Sequence, residues 1–234
     1  QPGHKPAHRS RQAHSPVPYG LIDTWEVYGN VGDAVMRAAA KAVGPVMLTP
    51  QADGLRRAFS LMELLKREGK QSDFRARRVH VIGAGVMGGD IAAWCVLQGL
   101  EVTLQDREMK FIEPALKRAG ALFKKKRLSP AEVKSALERL RPDVEGKGVA
   151  QADVVIEVIV ERLDAKQSLL KTLEPQLKEG AILASNTSSI PIEEIASALN
   201  KPERLIGLHF FNPVAKMPLI EVVMGAQSDA QTIR

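Results

Sequence analysis

The sequence has a single cysteine, few aromatic residues and no long hydrophobic run, and each scarcity excludes a class of protein. Cys95 is the only cysteine among 234 residues, so no intrachain disulfide can form and a reducing, cytoplasmic location is expected. Aromatic residues make up 4%, which argues against an aromatic-rich β-sandwich. No apolar stretch is long enough to span a membrane. The chain begins with Gln and lacks a signal peptide's apolar segment, so we expect a piece of a longer protein.

An excess of positive charge is present but spread along the chain. Lys and Arg number 33 against 27 Asp and Glu, which gives a formal net charge of +6. Without a basic arm or the aromatic signature of RNA binding, this charge favours an anionic small ligand over nucleic acid. One denser cluster could hold the phosphates of an anionic ligand as point charges, or could be a solvated helix face. Its members are Lys117, Arg118, Lys124, Lys125, Lys126 and Arg127.

The first 77 residues have the composition of a linker with some helix. Residues 1–20 carry four prolines without periodicity, which is typical of a linker. Their three histidines match no standard ligand spacing, so we predict no metal site. Helices are predicted over 31–43 and 51–69. The second has an apolar stripe that we expect to dock on another surface; its members are Leu55, Ala58, Phe59, Met62 and Leu65.

From residue 78 onward, strand patterns alternate with helix patterns. The strand runs are apolar at successive positions, as in a parallel sheet that is covered on both faces. The pattern predicts an α/β fold, a doubly wound parallel (Rossmann) sheet with helices on both faces, over 78–234. Strands are predicted at 78–82, 101–106, 152–160, 181–186, 204–211 and 219–224. Helices are predicted at 86–100, 162–177, 190–199 and, broken at Ser129-Pro130, within 111–140.

The sequence GAGVMG follows the first strand and opens the first helix, which predicts a dinucleotide site. Gly83 allows the tight turn, Gly85 lets a pyrophosphate approach the backbone, and Gly88 lets the helix pack on the strand. The backbone N–H groups at the helix start, those of Val86 and Met87 included, are expected to hold the pyrophosphate. The alternative is a glycine turn that binds nothing.

Asp106 ends the second strand, 18 residues after Gly88. A carboxylate at this point can accept both adenosine ribose hydroxyls and would repel a 2′-phosphate, so NAD is favoured over NADP. The neighbouring Arg107 weakens that preference. Cys95, inside the first helix of this unit, is expected to be buried and unreactive.

Downstream polar residues supply candidates for proton transfer. Asn186 and Ser188 follow a strand, His209 lies near the end of the next strand, and Glu221 interrupts the apolar run LIEVVM. Each has an ordinary alternative, as a helix cap, a core histidine or an outward-facing edge carboxylate. Together they suggest a His209–Glu221 pair with a hydroxyl donor, able to remove the proton from a secondary alcohol as hydride leaves.

Four stretches resemble the NAD-binding domain of the 3-hydroxyacyl-CoA dehydrogenases. They are VIGAGVMGGDIA, EVIVERLDAKQSLL, ASNTSSIPI and GLHFFNPVAKMPLIEVV. The resemblance implies oxidation of (3S)-3-hydroxyacyl-CoA by NAD⁺ to 3-oxoacyl-CoA in fatty acid β-oxidation. It implies that His209 is the base, Glu221 its partner, and Ser188 and Asn212 substrate contacts. It also implies that three residues line the nicotinamide ribose and ring, namely Glu161, Lys166 and Asn186.

The segments VPYGLIDTWE and LRRAFSLMELLKREGK are similar to the linker after the hydratase domain of bacterial multifunctional proteins, the α-subunit type of the fatty acid oxidation complex. This resemblance implies a hydratase domain upstream, a helical domain downstream and a thiolase β-subunit as possible partner. In the family the helical domain supplies a catalytic asparagine, so the chain alone could bind NAD yet turn over poorly. Two rival interpretations remain open: a non-catalytic NAD-binding module, and a β-hydroxyacid dehydrogenase of a small acid.

Overall fold

The computed structural model describes residues 41, 49–68, 74–217, 219–229 and 232. The chain divides into two compact units, residues 1–71 and 72–234. In the first unit, helix α1 (Pro50–Glu68) confirms the helix predicted over 51–69. Of its predicted stripe, Leu55, Phe59 and Met62 are exposed. The other predicted helix, 31–43, and the linker over 1–20 with its histidines lie outside the described residues, apart from residue 41.

In the second unit strands and helices alternate in the predicted order. The strands are β1 (Arg78–Ile82), β2 (Glu101–Gln105), β3 (Leu140–Pro142), β4 (Val154–Glu157), β5 (Ile182–Ser185), β6 (Leu205–Phe210) and β7 (Ile220–Met224). The helices are α2 (Val86–Leu97), α3 (Met109–Lys125), α4 (Pro130–Arg139), α5 (Leu163–Leu173) and α6 (Ile192–Ala196). Short 3₁₀ turns span Lys147–Gln151, Glu174–Gln176 and Pro202–Arg204.

The seven strands form one sheet in the order β3-β2-β1-β4-β5-β6-β7. All neighbours pair in parallel except β6 and β7, which are antiparallel. The chain moves outward from β1 in one direction and then restarts at β4 on the other side. The crevice between the carboxyl ends of β1 and β4 is therefore the switch point, where ligands of such sheets bind.

Two apolar clusters lie on opposite faces of the sheet because alternate strand residues point to opposite sides. Val81 and Ile156 belong to the cluster that contains buried residues of α2, α3 and α4, such as Phe123. Ile82 and Val155 belong to the other cluster, which contains buried residues of α5 and α6. The doubly wound α/β fold is thus confirmed, with helices on both faces.

Three local features differ from the sequence prediction. Strand β3 is not predicted: Leu140 ends a predicted helical stretch and residues 141–142 belong to no predicted element. Only Leu140 of its three residues is buried, so the strand shows no alternation. Strand β7 is antiparallel, since the connection over 211–219 is shorter than the roughly dozen residues that a parallel crossover needs. The helix predicted to continue to residue 177 changes to a 3₁₀ turn at Glu174-Pro175, where proline lacks the N–H that an α-helix uses.

Candidate active site

The glycine turn lies at the switch point, between β1 and α2. Gly83 has φ +102°, and a Cβ there would meet the backbone of Val158 just after β4. A Cβ on Gly88 would overlap the Gly83 carbonyl, so this glycine lets α2 approach the strand closely. Gly85 differs, because a Cβ there would meet nothing within 4 Å. The protein itself makes no steric demand for glycine at position 85, so the open space in front of it is available to a ligand.

The start of α2 leaves backbone donors for that ligand. Gly85 occupies the N-cap position and no side chain caps the helix. The first N–H groups of a helix, here at Val86, Met87 and Gly88, have no carbonyl partner within the helix. With the positive end of the helix dipole they form a site for an anion such as a pyrophosphate.

Asp106 stands beside the same turn. Its Oδ2 accepts a hydrogen bond from Ala84 N at 2.8 Å, and its Oδ1 accepts one from Arg107 N at 2.7 Å. These bonds fix the carboxylate at the end of β2, one strand from the crevice. This position, with the open face of Gly85, fits a dinucleotide whose ribose hydroxyls bind Asp106.

The basic cluster on α3 divides into side chains with different surroundings. Arg118 donates from Nη2 to Gly85 O at 2.9 Å, so it contacts the glycine turn. Lys126 donates to Ala215 O at 3.3 Å and lies over the ring of Trp94. Lys117 and Lys124, by contrast, line a groove with apolar residues of α3, α4 and β3. These four members of the cluster therefore have different neighbours, and phosphate binding by the cluster stays a prediction.

His209 and Glu221 face each other across the β6–β7 pair. They are register partners, and His209 Nδ1 lies 2.9 Å from Glu221 Oε2. The side chain of His209 is 23% exposed, and its ring lies tilted against Phe211 with 4.6 Å between the ring centroids. Glu221 bonds Nδ1, and no described residue forms a hydrogen bond with Nε2. A carboxylate on Nδ1 orients the ring and stabilises the imidazolium, which leaves Nε2 for proton exchange.

His80 shows what a core histidine looks like in the same sheet. It is completely buried, with Nδ1 at 2.7 Å from Thr103 Oγ1 and Nε2 at 2.8 Å from Gln105 Oε1. Burial lowers the pKa of His80, although the bond to Gln105 and the charge of Asp143 act in the opposite direction. Both ring nitrogens are occupied, so His80 cannot exchange protons with a ligand. His209, by contrast, is partly exposed, and only its Nδ1 has a hydrogen-bond partner among the described residues.

Glu161 accepts several hydrogen bonds from the turn that follows β5. Its Oε1 accepts hydrogen bonds from Thr187 Oγ1 at 2.6 Å and from Ser188 N at 2.8 Å, with longer ones from Ser188 Oγ and from Ser189. Burial would raise the pKa of Glu161, but the bonds from Thr187 and Ser188 and the charge of Lys166 outweigh it and lower the pKa to about 2. Glu161 is therefore ionised at neutral pH and fixes the backbone of Ser188.

Lys166 lies behind this turn and is 0% exposed. Its Nζ contacts Glu161 Oε2 at 3.2 Å and Glu157 Oε1 at 2.8 Å. In this structure the ammonium contacts the turn through Glu161. The role of Lys166 at the nicotinamide, which the resemblance implies, stays a prediction. Glu157 was missed altogether, although it interrupts the apolar run DVVIEVIV just as Glu221 interrupts LIEVVM.

Asn186 and Asn212 lie at the same edge. Asn186 Oδ1 accepts a hydrogen bond from Phe210 N at 2.9 Å, which ties the turn after β5 to the residue next to His209. Asn212 is exposed, two residues beyond β6.

The described residues contain no helix long and apolar enough to cross a bilayer.

A doubly wound sheet, an uncapped glycine turn at its switch point and a histidine–carboxylate pair at the same edge define a dehydrogenase-type dinucleotide-binding domain. The family described as "3-hydroxyacyl-CoA dehydrogenase, NAD binding domain" matches residues 78–234. The chain belongs to this family, and its cofactor is NAD.

Known proteins of this kind are similar to most of the chain. The fatty acid oxidation complex subunit alpha of Psychrobacter sp. (strain PRwf-1) is 36% identical over 226 residues, 93% of this chain and 31% of that protein. The protein of the same name from Ectopseudomonas oleovorans is 38% identical over 221 residues, 91% of this chain and 31% of that protein. The chain therefore spans about a third of the length of these relatives.

Solved structures agree with the fold. The 3-hydroxybutyryl-CoA dehydrogenase from Escherichia coli K12 aligns with a TM-score of 0.66 and 35% identity, over 68% of this chain and 35% of that chain. The dehydrogenase part of multifunctional enzyme 1 from C. elegans aligns with a TM-score of 0.63 and 30% identity, over 68% of this chain and 37% of that chain.

Proposed function

We propose that the protein containing this chain oxidises (3S)-3-hydroxyacyl-CoA to 3-oxoacyl-CoA with NAD⁺, in fatty acid β-oxidation. The observation that carries the proposal is the His209–Glu221 contact of 2.9 Å at the sheet edge that also holds the glycine turn. An alcohol oxidation needs a base beside the hydride acceptor, and this edge supplies both positions. The names of the similar proteins support the acyl-CoA substrate.

The proton moves through this chain's own residues. His209 Nε2 takes the proton of the substrate's 3-hydroxyl group, while Glu221 accepts the hydrogen bond from Nδ1–H and stabilises the resulting imidazolium. Ser188, held by Glu161, donates a hydrogen bond to the substrate oxygen, and Asn212 is a further substrate contact. NAD⁺, held at the glycine turn and Asp106, would supply the acceptor for the hydride that leaves the substrate's C3.

The remaining residues hold the cofactor. Gly83, Gly85 and Gly88 shape the turn, the N–H groups of Val86 and Met87 bind the pyrophosphate, and Asp106 binds the adenosine ribose. Glu161, Lys166 and Asn186 line the nicotinamide ribose and ring. Lys166 also contacts Glu161.

The proposal extends to the whole protein. Residues 78–234 form the NAD-binding domain, residues 1–77 link it to a hydratase domain, and a C-terminal helical domain completes the acyl pocket. The names of the relatives support membership of a multi-subunit complex. The partner we propose is a thiolase β-subunit. The single thiol, Cys95, suits a cytoplasmic location.

The test is reduction of acetoacetyl-CoA by NADH, followed by the loss of NADH absorbance, for this chain and for the full-length protein. We expect turnover by the full-length protein and a loss of roughly 10²–10⁴-fold in kcat for His209→Ala, because the base is gone. NADH affinity should stay unchanged in this variant. Glu179→Gln, an exposed carboxylate just before β5 at the opposite edge, is the control and should keep full activity.

The rival functions give different results. A His209→Ala protein with nearly full activity would refute the proposed base and favour a lysine-dependent β-hydroxyacid dehydrogenase. NADH binding without turnover, in this chain and the full-length protein alike, would instead indicate a non-catalytic binding module.

A further inference from the structure

Glu157 is the most buried carboxylate near the site, and no step of the proposed reaction uses it. It is the last residue of β4 and is 0% exposed. Its Oε2 accepts a hydrogen bond from Ser185 Oγ at 2.5 Å, and its Oε1 accepts one from Ile159 N at 2.7 Å and contacts Lys166 Nζ at 2.8 Å. Every contact of this carboxylate thus holds an end of β4, β5 or α5.

The buried lysine continues this network towards the surface. Lys166 Nζ bridges Glu157 and Glu161, which is 3.2 Å away. Glu161 in turn accepts hydrogen bonds from the hydroxyl of Thr187 and from the backbone of Ser188. A continuous path of charged hydrogen bonds therefore runs from the interior of the sheet to the turn that carries Ser188.

A fully buried ion pair such as Lys166–Glu157 is weak evidence for a role in stability alone. Removing two charges from water costs several kcal/mol per ion in proteins, and apolar replacements of a buried pair are often neutral or stabilising. The three residues do, however, form a chain of close contacts that ends at Ser188. The two inner members, Glu157 and Lys166, are fully buried, so the turn at the reaction site is tied to groups that solvent does not reach.

We propose that Glu157 is a positioning residue, which through Lys166 and Glu161 holds the Thr187–Ser189 turn so that Ser188 meets the substrate. The inference rests on the proposed function for the role of Ser188. It adds Glu157 to the residues on which the reaction depends, without contact with substrate or cofactor.

Three variants of the full-length protein test this role. Glu157→Gln keeps the shape of the side chain but removes the charge opposite Lys166. The double variant Glu157→Gln/Lys166→Met removes both fully buried groups, so no buried charge is left without a partner, and only the partly exposed Glu161 loses its cation. Glu174→Gln is the matched control, because Glu174 is also buried but binds Asn200 and Lys201, at the far end of α5.

Three measurements, hydrogen exchange, kcat and the melting temperature, separate positioning from stability. Hydrogen exchange of the 187–190 peptide reports directly on the N–H groups of Ser188 and Ser189, which donate hydrogen bonds to Glu161. This measurement does not depend on enzyme activity. In Glu157→Gln we expect this exchange to rise about tenfold while kcat falls at least about tenfold. The double variant should recover most of the melting temperature but not kcat, since Glu161 then lacks its ammonium. The control should change neither exchange nor kcat.

Each other outcome overturns the inference. Unchanged exchange at 187–190 in both Glu157 variants would show that the network does not hold the turn. Increased exchange with normal kcat would show that the turn need not be held. Recovery of kcat together with stability in the double variant would reduce Glu157 to a structural residue. A wild-type protein that binds NADH but never turns over would refute the proposed function, and the positioning role with it, while the exchange data would still report on the network.

Discussion

Replacing Gly85 by alanine should weaken cofactor binding and leave the fold intact. A methyl group at this position meets no protein atom within 4 Å, so it projects into the space that we assign to the pyrophosphate. Because the phosphate must lie against the backbone, we expect the Kd for NADH to rise by more than about tenfold, equivalent to about 1.4 kcal/mol.

The stability of this variant follows from two opposing effects. Alanine is a poorer N-cap than glycine by up to roughly 1 kcal/mol. Alanine also gives the unfolded chain less conformational entropy to lose on folding, which stabilises the protein by about 0.4–1 kcal/mol. This gain is possible here because φ at Gly85 is −59°. The melting temperature should therefore move by less than about 4 °C in a unit of this size.

Gly88→Ala gives the contrasting result. Its Cβ would overlap the carbonyl group of Gly83, so α2 must move away from β1. Overpacking of this kind costs about 1–3 kcal/mol, and both stability and NADH affinity should fall. Fluorescence titration with NADH and thermal unfolding of the wild type, Gly85→Ala and Gly88→Ala test both predictions. If Gly85→Ala kept its affinity for NADH within about threefold, the pyrophosphate would not lie on this turn and the reasoning would be refuted.

Three further predictions concern ionisation and cofactor choice. Because the pKa of Glu161 is about 2 instead of 4.5, its stabilising contribution is complete above about pH 4.5 and is lost as the pH falls towards 2; the melting-temperature difference between wild type and Glu161→Gln should shrink over that range. Burial raises the pKa of Cys95 to about 12, so a thiol reagent such as DTNB should react with it in urea and not in the native protein. Asp106→Ser should raise the affinity for NADPH relative to NADH by about tenfold or more, measured by titration with each, because the carboxylate no longer repels a 2′-phosphate.

Patterns repeated along the chain were enough to predict the fold. Apolar runs such as those around Val81 and Val155 fill both faces of the sheet, and the glycine turn marks where the first helix begins. What escaped prediction was short or depended on distant partners. Strand β3 contains three residues, and the direction of β7 follows from the length of a loop rather than from its own side chains.

The site divides in the same way. His209 and Glu221 could be paired from the sequence because each interrupts an apolar run near a strand end, and the structure brings them into contact. Glu157 satisfies the same criterion, but its partner Lys166 lies on a helix whose orientation no local pattern specifies. The depth of Lys166 was equally hidden, since a lysine on an amphipathic helix is ordinarily exposed.

The antiparallel hairpin has a consequence for redesign of the protein. His209 and Glu221 meet because of the pairing register of β6 and β7, so the connecting loop does not set their geometry. Gly207 pins that register, since a side chain there would collide with Val223 of the opposite strand and with Ile192. Insertions within 211–219 should therefore be tolerated as long as the ladder re-forms. A one-residue slip, by contrast, would turn Glu221 to the other face of the sheet and separate base from partner while keeping every strand in place.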